Sequence, residues 1–154
     1  MIRMMNKDDI KDIIELLKEV DLVHHDGRPD IFKIGTKYNS DELLNMVDDK
    51  LNPIFVYEKD NKVVAHAFCN TIIHENDNVL TNIKTLYIDD ICVKEEYRNL
   101  GIATKLYEYV MKYAKDNNYY NVTLNVWDFN DSAYSFYKKM GMTPLKVTME
   151  QIIK

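Results

Sequence analysis

Apolar positions along this chain change their period several times, and each change marks the border of an element. Ile2 to Met5 is a short apolar run suited to a strand, and Asn6 with Asp9 three residues on has the spacing of a helix cap. Ile10, Ile13, Ile14 and Leu17 then recur at i, i+3, i+4 and i+7, which predicts a helix over 7–20 with one apolar face. Residues 21–39, including His24-His25-Asp26-Gly27-Arg28-Pro29-Asp30, hold no sustained period and carry turn formers, so a long irregular connection is expected there. Connections of that length in compact domains are often functional. A short helix over 40–49 follows, with Asn39 and Glu42 spaced as a capping pair.

From residue 53 the texture becomes that of strands. Ile54-Phe55-Val56-Tyr57 and the run Val63 to Ile73 are rich in β-branched and aromatic residues, and Lys59-Asp60-Asn61-Lys62 between them reads as a hairpin turn. A further strand, Ile83 to Val93, comes after the polar turn Glu75 to Asn78. Ile102, Leu106, Tyr109, Val110, Tyr113 and Ala114 then form one helical stripe. A strand at 121–127 and a helix at 131–140 come next, the helix placing Ala133, Phe136, Tyr137 and Met140 on a face, and the last apolar run, Pro144 to Ile153, is expected to return to the sheet. The order β-α-α-β-β-β-α-β-α-β describes a mixed α/β (α+β) fold: an antiparallel meander first, then a crossover helix between two parallel strands.

Composition narrows the class. A chain of 154 residues, 46% apolar and 29% charged, suits one domain spanning 1–154 with a sizeable core. No apolar run approaches the ~20 residues of a transmembrane helix, and charges occupy the N-terminus where a signal peptide would be apolar, so a cytoplasmic protein with no membrane partner is expected. Cys69 and Cys92 sit inside apolar segments and read as small core residues. His24 and His25 lack a third ligand, so no metal site is expected, and His66 and His74, inside strands, read as structural. The net charge of −5 argues against nucleic acid as a partner. Residues 1–50 carry 12 acids and 8 bases (net −4), against 13 and 12 (net −1) in the remainder, so a site bordered by the N-terminal third would favour cations. Glycine is scarce: four residues, where average usage of about 7% would give about eleven.

The junction Val93-Lys94-Glu95-Glu96-Tyr97-Arg98-Asn99-Leu100-Gly101-Ile102-Ala103-Thr104 ends a strand and opens a long amphipathic helix. The first turn of a helix offers unpaired N–H groups and a positive dipole end, and glycine there lets an anion approach the backbone. The phosphate loops G-x-x-x-x-G-K-[ST] and G-x-G-x-x-G are absent. Arg98-Asn99-Leu100-Gly101-Ile102-Ala103 instead resembles the R/Q-x-x-G-x-G/A signature of the GNAT superfamily of N-acetyltransferases. Asn130-Asp131-Ser132-Ala133-Tyr134-Ser135-Phe136-Tyr137-Lys138-Lys139-Met140-Gly141-Met142 is similar to that family's N-x-x-A-x-x-F-Y-x-x-x-G-[FM] segment. Leu86 to Val93 resembles the strand before the pyrophosphate loop, particularly in spermidine/spermine acetyltransferases and their bacterial relatives. The likeness covers about 54–145 in detail and the N-terminal third only in its order of elements.

The resemblance implies a central mixed, twisted sheet of about six to seven strands flanked by about four helices. It implies acetyl-coenzyme A as co-substrate, with the backbones of Ile91, Cys92 and Val93 along the pantetheine arm and acetyl carbonyl. Arg98, Asn99, Leu100, Gly101, Ile102, Ala103 and Thr104 would surround the pyrophosphate, and Asn130, Ser132, Ala133 and Tyr137 would line the cofactor from the second motif. Tyr137 would also be the general acid, because a phenol with an ordinary pKa of about 10 stays protonated at neutral pH and can donate to a departing thiolate. Asp89 and Asp90 are adjacent acids in an apolar strand. Burying a carboxylate alone is costly, so at least one faces a cleft. Strand alternation puts them on opposite faces unless a bulge intervenes. The polyamine-acetylating relatives imply Asp89 as the base, acting through water, and Asp90 as the group that orients a cation.

The function expected is direct transfer of an acetyl group to a primary amine, with a small cationic amine favoured by the acidic N-terminal third. A protein or peptide N-acetyltransferase is the rival within the enzyme class, and a non-catalytic coenzyme A-binding regulatory module is the rival outside it. The implied fold often dimerises, so a homodimer is also expected.

Overall fold

The computed structural model describes residues 1–154. β1 (Ile2–Met4) leads through a 3₁₀ turn into α1 (Ile10–Gly27) and α2 (Ser40–Met46). The meander β2 (Ile54–Lys59), β3 (Lys62–Ile73) and β4 (Lys84–Val93) follows, then α3 (Ile102–Asp116), β5 (Asn121–Leu124) and α4 (Asp131–Lys139). The strands form one sheet in chain order, antiparallel from β1 to β4, with β5 parallel to β4.

Both faces of the sheet are covered. Leu106 and Val110 of α3 pack on Phe55, Leu86 and Ile88, while Ile13, Leu16 and Leu17 of α1 and Leu43 of α2 pack on Val56 and Phe68. Neighbouring residues of β2 thus enter opposite cores, as a strand with both faces buried requires. Cys69 and Cys92 are free and buried, one in each core. At the sheet's N-terminal edge Arg3 bonds Asp9 at 2.7 Å and Glu58 at 3.0 Å, tying β1 to the capping box that Asn6 and Asp9 form.

Three expectations are corrected. The first helix runs to Gly27, so 21–27 is not irregular. Its apolar stripe fades because Leu22 and Val23 lie in solvent beyond the core. Backbone bonding carries the helix on until Arg28 N–H donates to His24 O, one residue before Pro29. The last strand of the sheet ends at Leu124, not at 127. The apolar run 144–153 forms no strand: residues 143–154 make no backbone hydrogen bond, and the sheet has five strands, not six to seven. Its apolar content makes that run read as a strand, but a strand needs a ladder, and the run joins none.

Leu106 is fully buried between α3 and the sheet. Leu106→Ala is expected to lower unfolding free energy by about 2–5 kcal/mol in urea denaturation, without a change in the slope against urea.

Candidate active site

The site grows from a fault in the β3–β4 ladder. Phe68 pairs with Asp90 and the next residue, Cys69, pairs with Ile88, so Asp89 is an extra residue on β4. A bulge of this kind shifts the phase of the strand. Ile88 belongs to the α3 core, whereas Cys92 belongs to the α1 core. At the shift both carboxylates turn to the side covered by α1 and the loop to α2, where Asp89 meets Lys37 and Asp90 meets His66.

Asp90 Oδ2 lies 3.0 Å from His66 Nε2. With the carboxylate as acceptor, Nε2 carries the proton. His66 is fully buried, packs edge-on against Phe68, and leaves Nδ1 without a partner. Asp89 receives the Lys37 ammonium from the loop between α1 and α2. Burial opposes the Lys37 charge, but the hydrogen bond and charge of Asp89 outweigh it and hold the amine above its ordinary pKa. The Lys37 N–H donates to Asp21 at 2.8 Å, and burial raises the Asp21 carboxyl above its usual range, with the Asp90 charge adding to it. Asp89 thus holds the Lys37 side chain and Asp21 its backbone, with the Asp90 charge acting on both Lys37 and Asp21.

Tyr137 comes in from α4, beside Tyr107 of α3. Burial, and after it the charges of Asp90 and of the Tyr107 phenolate, push the phenol above its ordinary value. The hydroxyl therefore keeps its proton while standing in the field of Asp90.

Below these groups two backbone features lie open. β5 pairs with β4 only from Thr85 to Ile88, so the β5-facing edge of β4 is unpaired from Asp89 through Ile91, Cys92 and Val93. The α3 N-terminus has no side-chain cap, and the N–H groups of Ile102, Ala103 and Thr104 have no partner in the chain. Asn99 and Gly101 both take left-handed backbone, with φ of 63° and 77°. A Cβ on Gly101 would meet nothing within 4 Å, so the space before the helix is open. Leu100 is exposed at the same turn.

The second motif supplies α4 and its start. Asn130 Oδ1 caps the helix through Ala133 N–H and accepts from Ser132 Oγ, both at 3.3 Å, which leaves its Nδ2 available. Arg98 is turned elsewhere: its Nε donates to Val93 O at 3.0 Å, and its guanidinium lies 3.6 Å from Glu19. It therefore latches the β4–α3 turn to α1. His24 stacks on Phe32, and His25 Nδ1 bonds Phe32 O, so the histidine pair organises the loop.

Sequence reasoning missed His66 and Lys37. His66 looked like one more structural residue in an apolar strand, and Lys37 is 52 positions from its carboxylate with no period to link them. A polar residue among apolar ones on β3 was the available signal for His66. Nothing signalled Lys37.

The sequence profile described as the acetyltransferase (GNAT) family matches residues 19–142. A protein from Drosophila melanogaster described as probable N-acetyltransferase san is 38% identical over 95 residues, 61% of this chain and 48% of that protein. The thialysine N-epsilon-acetyltransferase of Bos taurus is 37% identical over 62 residues, 40% of this chain and 36% of the relative. The chain thus spans less than half the length of these curated relatives. The crystal structure of a mutant BH1408 protein from Bacillus halodurans is 28% identical with a TM-score of 0.94, covering 100% of this chain and 99% of that one.

The raised phenol has a spectroscopic consequence. In a pH titration of phenolate absorbance, Tyr137→Phe is expected to leave the amplitude that ionises around pH 10 unchanged, because Tyr137 in the folded chain ionises above that range. Loss of amplitude near pH 10 in the variant would show the phenol to be unshifted.

Proposed function

Because the chain belongs to the acetyltransferase (GNAT) family, we propose that it transfers the acetyl group of acetyl-coenzyme A to a primary amine, and that the acceptor is a small cationic amine. The residues present fit the co-substrate. The unpaired N–H groups of Ile102, Ala103 and Thr104 would hold its pyrophosphate, with the open side of Gly101 allowing close approach. The free β4 edge at Ile91, Cys92 and Val93 and the Asn130 Nδ2 would hold the pantetheine amides. When bound, acetyl-coenzyme A supplies an acetyl thioester for attack by the amine.

One observation supports the reading: the bulge turns an acid–histidine pair and a second acid to one side of β4, and the Tyr137 phenol of α4 stands in the field of Asp90. Asp90 is held by His66 and keeps an oxygen free, so it accepts the proton that the acceptor ammonium must lose. Asp89 binds the cationic end of the acceptor, displacing Lys37, which is itself a primary ammonium seated on that carboxylate. These assignments exchange the roles that the polyamine-acetylating relatives imply for the two acids. As the C–N bond forms and the C–S bond breaks, Tyr137 gives its proton to the departing sulfur. The thialysine enzyme among the relatives acts, by its description, on a small cationic amine, which supports the same acceptor class here.

Thiol release from acetyl-coenzyme A across polyamines, amino-acid amines and peptides with free N-termini tests the proposal. Small di- and polyamines should turn over with the highest kcat/KM. Preference for a peptide N-terminus would replace the acceptor class, and coenzyme A binding without turnover across the panel would replace the enzyme by a binding module. Tyr137→Phe is expected to lower kcat by about 10²–10⁴ with little change in KM. Asp90→Asn should lower kcat with little change in KM. Asp89→Asn should chiefly raise KM for dicationic acceptors. The reverse pattern for the two variants would return the base to Asp89.

A further inference from the structure

One cation of the site belongs to the chain itself. Lys37 is a primary ammonium on a flexible alkyl stem, and its Nζ pairs with Asp89 and with no other carboxylate. Its side chain is 47% exposed, whereas that of Asp89 is 17% exposed. The backbone is fixed on both sides of this side chain. Lys37 N–H donates to Asp21 at 2.8 Å, and the ring of the next residue, Tyr38, stacks on Phe68 with centroids 5.6 Å apart. The lysine side chain can therefore leave Asp89 for solvent while the loop stays where it is.

The surroundings of the pair suit an alkylammonium ion. Lys37 Nζ stands 5.7 Å from the centroid of the Tyr38 ring, and the charges of Asp89 and Lys37 act on the phenols of both Tyr38 and Tyr87. An acid with aromatic neighbours holds a cation by charge and by ring faces together. The end of the Lys37 side chain, methylenes carrying an ammonium, is chemically the end of an aliphatic diamine. An ion pair this open to water adds little to stability, so the fold does not require it. Asp90 differs from Asp89 in what occupies it: His66 holds one of its oxygens at 3.0 Å, and no cation of the chain other than that imidazole reaches it.

We propose that Lys37 is a tethered competitor for the second ammonium group of the acceptor, and so sets how strongly the site prefers dications to monocations. The proposal rests on the roles given above to Asp89 and Asp90. A singly charged amine needs only Asp90 and leaves Lys37 in its seat, where it keeps Asp89 neutralised. A diamine places one nitrogen at Asp90 and the other at Asp89, and must evict Lys37 to do so. A tethered group stands at its seat at an effective concentration on the order of millimolar, so a diamine meets this competitor at every encounter.

Putrescine and butylamine, a diamine and a monoamine of equal carbon number, test this. NMR of isotope-labelled lysine side chains in the full chain reads the seat without turnover, in the presence of coenzyme A, which permits no transfer. Putrescine should move the Lys37 resonance, assigned by its loss in Lys37→Met, to the position of solvent-exposed lysines, and butylamine should leave it in place. In thiol-release assays Lys37→Met should raise the putrescine-to-butylamine ratio of kcat/KM by about threefold to tenfold, through KM. Lys37→Arg, which keeps a cation on Asp89, should not raise it, and in an Asp89→Asn background Lys37→Met should leave the ratio unchanged. A Lys37 resonance that ignores putrescine, or an unchanged ratio in Lys37→Met, would overturn the competitor even where putrescine is the best acceptor. Eviction of Lys37 by putrescine without acetylation of either amine would uphold the competitor and overturn the acceptor class instead.

Discussion

Between Ile88 and Asp90, β4 carries one residue more than β3 opposes, and the phase of every side chain beyond that point depends on it. Without the extra residue, strict alternation would send Asp89 and Asp90 to opposite faces and bury a charge in one of the two cores, at a cost of several kcal/mol. With it, both acids share the side on which α1 and its loop leave room for a ligand, and the apolar residues on either side still reach a core. A single inserted position thus reconciles a strand buried on both faces with a pair of charges.

The same stretch of β4 is also where the sheet opens. β5 follows β4 for only four residues and then turns away, so the backbone that the bulge disturbs is the backbone that lacks a second neighbour. The chain next makes a short turn, latched by Arg98 to Val93 O, and enters α3 with its first N–H groups unpaired. Acids on one side of the strand, a free ladder edge on the other and an electropositive helix end beyond it are consecutive in sequence. Tyr137 alone comes from elsewhere, and its helix is the least embedded of the four.

Much of the fold was legible because local pattern and tertiary environment agreed. The stripe from Ile102 to Ala114 is periodic and the runs at 54–57 and 63–73 are rich in β-branched and aromatic residues because a core lies against them, and strands form there over Ile54–Lys59 and Lys62–Ile73. Reading failed where that agreement ended. α1 continues past its apolar stripe into solvent, held by backbone bonds that leave no trace in side-chain period. The tail from 144 to 153 has the apolar content without the pairing, since composition records what a segment could bury and not whether it joins a ladder.

The sequence by itself determined the order of the elements as far as α4, the helix start at Gly101, the motif that carries Tyr137 and the presence of two adjacent acids in an apolar strand. Left-handed backbone at Gly101, with φ of 77°, is a requirement that glycine meets at little steric cost, and so it could be read locally. Only the tertiary structure decided which way the acids point, that buried His66 holds Asp90, and that Lys37 reaches Asp89 from a loop far along the chain. Register between strands and contacts between distant segments are set by how the whole sheet and its loops pack. No local period encodes them, and the chemistry of this site resides in such contacts.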